Sequence, residues 1–168
     1  ALLFGLIPTG QGVVAAGSYS ADFSTADVDF EYGEDTIACS APTGGVAYPT
    51  AFTASAAVPA NCLLQTHDLD FGTHGLIGSE IDAATNMDIT CTPGTGYTSS
   101  IDGGGSGDPD NRLMQSGADS VRYGLYSNAE RTAVWGTDAG STVSGTGSGS
   151  QDQSIVYGRI PPQDAAPG

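Results

Sequence analysis

The clearest pattern in the chain is a strict alternation of side chains between residues 46 and 58. A period of two predicts an extended strand with one apolar face and small residues on the other. The apolar face carries Val46, Tyr48, Thr50, Phe52, Ala54, Ala56 and Val58. Pro49 cannot donate a ladder hydrogen bond, so the start of the strand is expected at a sheet edge or outside the sheet.

Shorter alternating segments follow, separated by turn residues such as glycine, proline and aspartate. Strands are predicted at residues 18–32 (with a bend), 69–71, 87–91, 97–101, 121–125, 132–134 and from 155 onward. They recur about every 8–15 residues, which is typical of an all-β sandwich. The best helix candidate, residues 79–86, is too short to change this class. Residues 136–153 are predicted to form a polar loop or an excursion at a sheet edge.

A short motif occurs at both ends of the chain. Phe4-Gly5-Leu6-Ile7-Pro8, expected to be a strand, matches Tyr157-Gly158-Arg159-Ile160-Pro161 about one small domain later. The repeat predicts that residues 1–38 are the last part of a first domain and residues 39–49 a linker. Residues 50–168 are then a second domain that lacks its last strand, which leaves an edge to be filled. If residues 1–168 are instead the whole chain, residues 18–32 complete the 50–168 body, in the same chain or in a neighbour.

Composition limits the classes of partner. The 168 residues include 19 acids, four arginines and no lysine, for a formal charge of -15. Such a surface repels nucleic acid and anionic membranes, so neither partner is expected. There is no run of 18 apolar residues, so no membrane span is expected either. The abundance of serine, threonine and 25 glycines, together with clean alternation, indicates a secreted β protein rather than a disordered chain.

The three cysteines are Cys39, Cys62 and Cys91. None forms a C-x-x-C pair, which disfavours a zinc site. We interpret Cys62 and Cys91 as a disulfide, because both flank a single loop-and-strand excursion. If the chain is a fragment, the partner of Cys39 lies in the absent part of the first domain; otherwise Cys39 is a free thiol.

Candidate chemistry is sparse, so no enzymatic activity and no cofactor are expected. The oxygen ligands that a calcium site requires occur in Asp102, Asp108, Asp110 and Asn111, but their spacing does not follow the EF-hand order. Residues 10–15 match a dinucleotide-binding pattern, yet a strand follows where the mechanism requires a helix. The two histidines, His67 and His74, have no serine nucleophile elbow to serve.

Other polar and aromatic residues have ordinary structural interpretations. The carboxylates of Asp68 and Asp70 are interpreted as a solvated strand edge. Arg112 and Arg131 are expected to pair with local acids and hold loops. Trp135 is expected in the core.

An ordered series of motifs resembles the spore coat protein U domain family, which includes the subunits of archaic chaperone–usher pili. The series covers residues 50–168 closely and residues 1–33 more loosely. It runs through Cys62-Leu63-Leu64, Leu69-Asp70-Phe71-Gly72, Ile89-Thr90-Cys91-Thr92-Pro93-Gly94, Ile101-Asp102-Gly103-Gly104, Asn111-Arg112-Leu113-Met114, Val121-Arg122-Tyr123-Gly124-Leu125-Tyr126, Arg131-Thr132-Ala133-Val134-Trp135-Gly136 and Tyr157-Gly158-Arg159-Ile160-Pro161. The family normally continues past residue 168 with a strand like residues 18–32.

The resemblance implies an all-β, incomplete immunoglobulin-like β-sandwich completed by a donated strand. Residues 46–58 have the pattern that a donor strand requires, and a receiving groove is expected beside residues 155–160. The implied partners are neighbouring copies or related pilus subunits, with a periplasmic chaperone and an outer-membrane usher during assembly. The implied location is the cell surface, reached through the periplasm, and two tandem domains favour a tip subunit over a shaft subunit.

Three alternatives stay open at this point. Residues 46–58 also fit an ordinary first strand of the second domain, because alternation shows half-burial and not the partner. The chain also fits a spore-coat or matrix protein of the same fold that packs without strand exchange. A calcium- or carbohydrate-binding module that uses the loop at residues 102–111 is the third possibility.

Overall fold

The computed structural model describes residues 3–27 and 51–164. It divides into two compact units, one formed by residues 1–15 with 60–168 and the other by residues 16–59. The strands are β1 (Gly17–Phe23), β2 (Phe52–Val58), β3 (Cys62–Thr66), β4 (Ile81–Cys91), β5 (Gly96–Ser99), β6 (Arg112–Ser116), β7 (Asp119–Tyr126), β8 (Val143–Thr146) and β9 (Gln151–Ile160). Within the described residues the one helical segment is a 3₁₀ turn at Gly104–Ser106, and no helix is long and apolar enough to cross a membrane.

The larger unit is a two-layer β-sandwich. One layer is an antiparallel sheet in the order β3-β4-β9-β7-β6, and the other is the antiparallel pair β5-β8. Alternate residues of β4 and β9 face the core, where Met87, Ile89 and Val156 are buried. Trp135 lies in the same cluster, and Tyr97 and Val143 pack against it from β5 and β8. This arrangement confirms the all-β sandwich and the interior position of Trp135.

The smaller unit contains a two-stranded ribbon in which β1 pairs with β2 along seven residues. Directly opposed residues share a face of an antiparallel pair. One face of the ribbon therefore carries Tyr19, Ala21, Phe23, Phe52, Ala54, Ala56 and Val58. The rings of Phe23 and Phe52 stack on this face with centroids 4.6 Å apart. The opposite face is polar, and there Thr53 Oγ1 donates a hydrogen bond of 2.7 Å to Asp22 Oδ1.

Several predicted elements are wrong. Residues 81–86 of the helix candidate form the first half of β4, because Ile81, Ala83 and Thr85 alternate toward the core and pair with β9. Residues 4–8 form no strand. Residues 69–71 also form no strand; Leu69 and Phe71 instead pack over Gly158, where an added Cβ would lie 2.6 Å and 2.7 Å from their side chains.

The predicted loop at residues 136–153 contains β8 and the first residues of β9. The apolar pattern of β8 is interrupted at Gly145, which lies beneath the ring of Tyr97 from the paired strand β5. A Cβ at this position would collide with the Tyr97 hydroxyl end, so a glycine stands where a sequence pattern would show a side chain. Of the predicted strand at 132–134, only a single bridge between Val134 and Tyr126 forms.

Candidate functional site

An open cavity of about 610 Å³ lies on the inner face of the five-stranded sheet. Its lining combines apolar side chains of β3, β4, β7 and β9, among them Leu64, Met87, Leu125 and Val156. We call this cavity the inner groove. One of its sides is formed by residues 100–102, which follow β5 and which we call the groove wall. Polar side chains, including Thr85 and His67, also line it.

The strand β3 borders the inner groove and is an edge of its sheet. Among the described strands it pairs with β4 alone. Leu64 stands opposite Ile89 and therefore shares its inward face, yet Leu64 is 61% exposed whereas Ile89 is 4% exposed. Leu63, on the opposite face, is 67% exposed. Among residues 3–27 and 51–164, the inner groove thus leaves inward-facing apolar surface uncovered, beside main-chain groups of β3 that no described strand pairs with on their far side.

The groove wall is attached to a buried arginine. Arg112 is 1% exposed, and its guanidinium donates four hydrogen bonds to backbone carbonyls. The acceptors are the oxygens of Asp102 (2.8 Å), Pro109 (2.7 Å), Ile101 (2.7 Å) and Trp135 (2.6 Å). Burial lowers the pKa of Arg112, against opposing electrostatic effects of which that of Tyr123 is the largest. The expectation that Arg112 bonds to local acid side chains is therefore wrong, since carbonyls take all four bonds.

The carboxylates proposed for calcium are used within the loop itself. Asp108 accepts hydrogen bonds from the backbone of Asp110 and from the side chain of Asn111, and Asp102 accepts one from the backbone of Gly104. The Asn111 bond is the main cause that lowers the pKa of Asp108. Across residues 3–27 and 51–164, no group of three or more His, Cys, Asp or Glu side chains converges as a metal site would require.

The Cys62–Cys91 disulfide is confirmed. It joins the first residue of β3 to the last residue of β4, which are direct partners in the ladder. It therefore fixes the edge strand that borders the inner groove. Cys39 lies outside the described residues.

Each histidine lies within hydrogen-bond distance of an oxygen, a carboxylate for His67 and a backbone carbonyl for His74. His67 Nε2 lies 3.0 Å from Asp88 Oδ2, and His74 Nε2 lies 2.7 Å from the carbonyl of Phe71. The His67 bond is the main cause that lowers the pKa of Asp88, followed by bonds from Asn86 and Gln153. Asp70 Oδ1 accepts a hydrogen bond from the backbone of Gly72, which is a turn interaction.

The outer face of the sheet carries an ion-pair cluster centred on Asp82. Arg159 binds both carboxylate oxygens, at 2.7 Å and 2.9 Å, and Arg131 approaches at 3.2 Å. Arg131 also donates hydrogen bonds to the carbonyls of Gly158 and Ala83, which tie it to β9 and β4. The expected pairing of Arg131 with an acid is thus confirmed.

The ion pairs of Asp82 make the folding stability depend on pH in the acid range. The Arg159 hydrogen bond is the main cause that lowers the pKa of Asp82 below 3.8. Because the folded-state pKa is lowered, the stabilisation is present above pH 3.8 and is lost as pH falls through the folded-state pKa. The melting temperature of Asp82→Asn should therefore fall less between pH 5 and pH 2 than that of the wild type, on the order of a few degrees. Asp119→Asn, on the exposed end of β7, is the control and should follow the wild-type pH profile.

Part of the donor-strand candidate falls in β2. Phe52, Ala54, Ala56 and Val58 lie on the apolar face of the ribbon, whereas Val46 and Tyr48 lie outside the described residues. In the described structure β2 pairs with β1 and is not a member of the five-stranded sheet. The groove expected beside residues 155–160 includes Val156 of that segment. The opposite boundaries of the inner groove, Leu64 and Ile101, were not predicted, although the alternation of Cys62, Leu64 and Thr66 carries the signal for the first.

Comparisons with known proteins agree with this architecture. The family model of the Spore Coat Protein U domain matches residues 49–168. Among solved structures, one similar chain belongs to the CsuC–CsuE chaperone–tip adhesion subunit pre-assembly complex from archaic chaperone–usher Csu pili of Acinetobacter baumannii. The TM-score is 0.60 at 19% identity, over 92% of this chain and 57% of that chain. This chain therefore spans little more than half the length of that protein. The likeness confirms the immunoglobulin-like sandwich fold. Comparison with curated proteins finds no match.

Proposed function

Because the chain belongs to the Spore Coat Protein U domain family, we propose that it is a structural and adhesive subunit of an extracellular pilus or fibre assembled by strand complementation. The observation that carries the proposal is the inner groove beside the edge strand β3. A strand added there gains main-chain hydrogen bonds from an edge, and its alternate side chains enter the apolar cavity. The role is structural and requires neither a catalytic group nor a cofactor.

The ribbon supports β2 as a strand of the donated type. Its larger apolar side chains alternate with small residues, and it pairs with β1 rather than with the sheet of residues 60–168. β1, which pairs with β2, follows the first copy of the repeated motif, Phe4-Gly5-Leu6-Ile7-Pro8. We therefore propose that β2 is the type of strand that completes a body of this fold, so a peptide with its sequence can probe the inner groove.

The proposed partners follow from this assembly route. Neighbouring pilus subunits supply the strand that occupies the inner groove, and a periplasmic chaperone and an outer-membrane usher act before assembly. A chaperone partner is supported by the likeness to a subunit that was solved in a chaperone complex. The proposed location is the cell surface, reached through the periplasm.

Two leucines of β3 provide the test. A synthetic peptide of residues 46–58 should bind the purified protein, with affinity measured by calorimetry. Leu64→Arg should weaken binding at least about tenfold, or about 1.4 kcal/mol, because the arginine places an unpaired charge inside the inner groove. Stability should change little, since Leu64 is already 61% exposed.

Leu63→Arg is the matched control because Leu63 is the adjacent leucine, 67% exposed and on the opposite face. It should leave peptide affinity within about twofold of the wild type. Equal losses in both variants would show that the peptide does not enter the inner groove. A wild-type protein that does not bind the peptide at all would favour packing without strand exchange.

A further inference from the structure

Arg112 connects the two layers of the sandwich behind the inner groove. It begins β6 at one edge of the five-stranded sheet, and two of its acceptors, Ile101 and Asp102, belong to the groove wall that continues β5 of the other layer. A third acceptor, Trp135, lies two residues before Thr137, which also lines the inner groove. Arg112 is not itself a lining residue, but it binds the backbone of residues that are.

We propose that Arg112 is a positioning residue for strand uptake, which holds the groove wall at a fixed place before any strand arrives. This inference rests on the proposed function. The arginine's Nη2 donates to the carbonyls of both Ile101 and Trp135, so one atom joins the groove wall to the segment that leads to Thr137. Nε and Nη1 add the carbonyls of Asp102 and Pro109, so that the fork spans the whole loop before β6.

The geometry requires a guanidinium in particular. Its donors lie in one plane and in a rigid fork, whereas a lysine offers a single mobile ammonium. All four acceptors are uncharged carbonyls, so the bonds depend on direction and distance and not on pairing with an acid. In a lysine variant, the buried carbonyl of Trp135 and the part-buried carbonyls of the loop compete for fewer donors, and the groove wall is released from β6.

The chain contains its own reporter of this arrangement. Trp135 is the single tryptophan, it is 1% exposed, and its Nε1 donates a hydrogen bond of 3.2 Å to the carbonyl of Ser99, the residue just before the groove wall. Its fluorescence and its accessibility to acrylamide therefore report the position of the groove wall in the free protein, independently of peptide binding.

The experiment compares Arg112→Lys with Arg122→Lys, the same replacement at an exposed arginine of β7. We expect Arg112→Lys to slow association of the residue 46–58 peptide at least about tenfold and to increase acrylamide quenching of Trp135. Arg122→Lys should change neither measurement. Chemical denaturation of both variants separates an effect on the groove wall from global unfolding.

The outcomes distinguish the two proposals. If the wild type binds the peptide and a folded Arg112→Lys variant binds it at the same rate, the positioning role is overturned and the proposed function is left intact. Absence of wild-type uptake overturns the proposed function, and the positioning role with it. If Arg112→Lys does not fold, acrylamide quenching of Trp135 in the wild type decides. Low quenching before peptide is added supports a preformed groove wall, and low quenching only after peptide is added overturns it.

Discussion

Replacement of Trp135 by alanine is expected to cost about 3–5 kcal/mol, the range for removing a large aromatic side chain from a core. The indole is 1% exposed and belongs to the cluster with Met87, Ile89 and Val156. Its Nε1–H also supplies the hydrogen bond to the Ser99 carbonyl, so the variant loses a part-buried polar contact as well as volume. Because the cluster joins the two layers, the whole larger unit should be destabilised and not a single strand.

Urea unfolding followed by circular dichroism is the appropriate measurement, since the variant has no tryptophan fluorescence. Trp135→Phe should lose less than Trp135→Ala, because most of the ring volume is kept. Leu76→Ala removes an exposed large apolar side chain and should stay within about 0.5 kcal/mol of the wild type. A Trp135→Ala midpoint close to that of Leu76→Ala would show that the indole does not hold the layers together.

Loss of the Cys62–Cys91 disulfide is expected to cost about 3 kcal/mol, because it closes a loop with a sequence separation of 29. Loss of the bond should loosen β3, which borders the inner groove, more than the central strands of the sheet. All five residues of β3 are exposed, so little burial holds this strand against β4 once the covalent link is gone. A double serine variant, Cys62→Ser with Cys91→Ser, should therefore lose peptide affinity together with stability.

The unfolding midpoint and peptide affinity should be measured with and without a reductant. The reduced wild type should approach the double serine variant, while Cys39→Ser retains the Cys62–Cys91 link and serves as the control. A double variant with an unchanged midpoint would mean that the β3–β4 pairing stabilises the edge without the bond.

The elements predicted best from the sequence are those in which the alternation of apolar residues matches the burial of one strand face. Met87, Ile89 and Cys91 alternate because one face of β4 is buried and the other is not, and this difference is visible in the sequence. In the sequence the first half of β4 also fits a helix, because Ala83 and Ala84 suit a helix equally well. Pairing with β9 makes this segment a strand, and such pairing is a tertiary contact.

The candidate site was predictable only in part for the same reason. The alternation at residues 46–58 indicated an extended strand, the resemblance to the family implied a donated one, and the positions of Cys62 and Cys91 indicated the disulfide. The partner of β2 could not be predicted, because alternation records that a face is covered and not what covers it. Arg112 was recognised as structural, but its acceptors are backbone carbonyls, which every residue has and no sequence pattern marks.

The sequence by itself determined the all-β class, the disulfide, the family and the strongly negative net charge, because each depends on residue type, spacing or summed charge. The tertiary structure alone decided that β2 pairs with β1, that Leu64 stays exposed on an inward face, and that Arg112 donates hydrogen bonds to carbonyls of the groove wall. These features depend on which strands lie side by side and on where the backbone oxygens of distant residues converge. Both are set by the packing of the two layers.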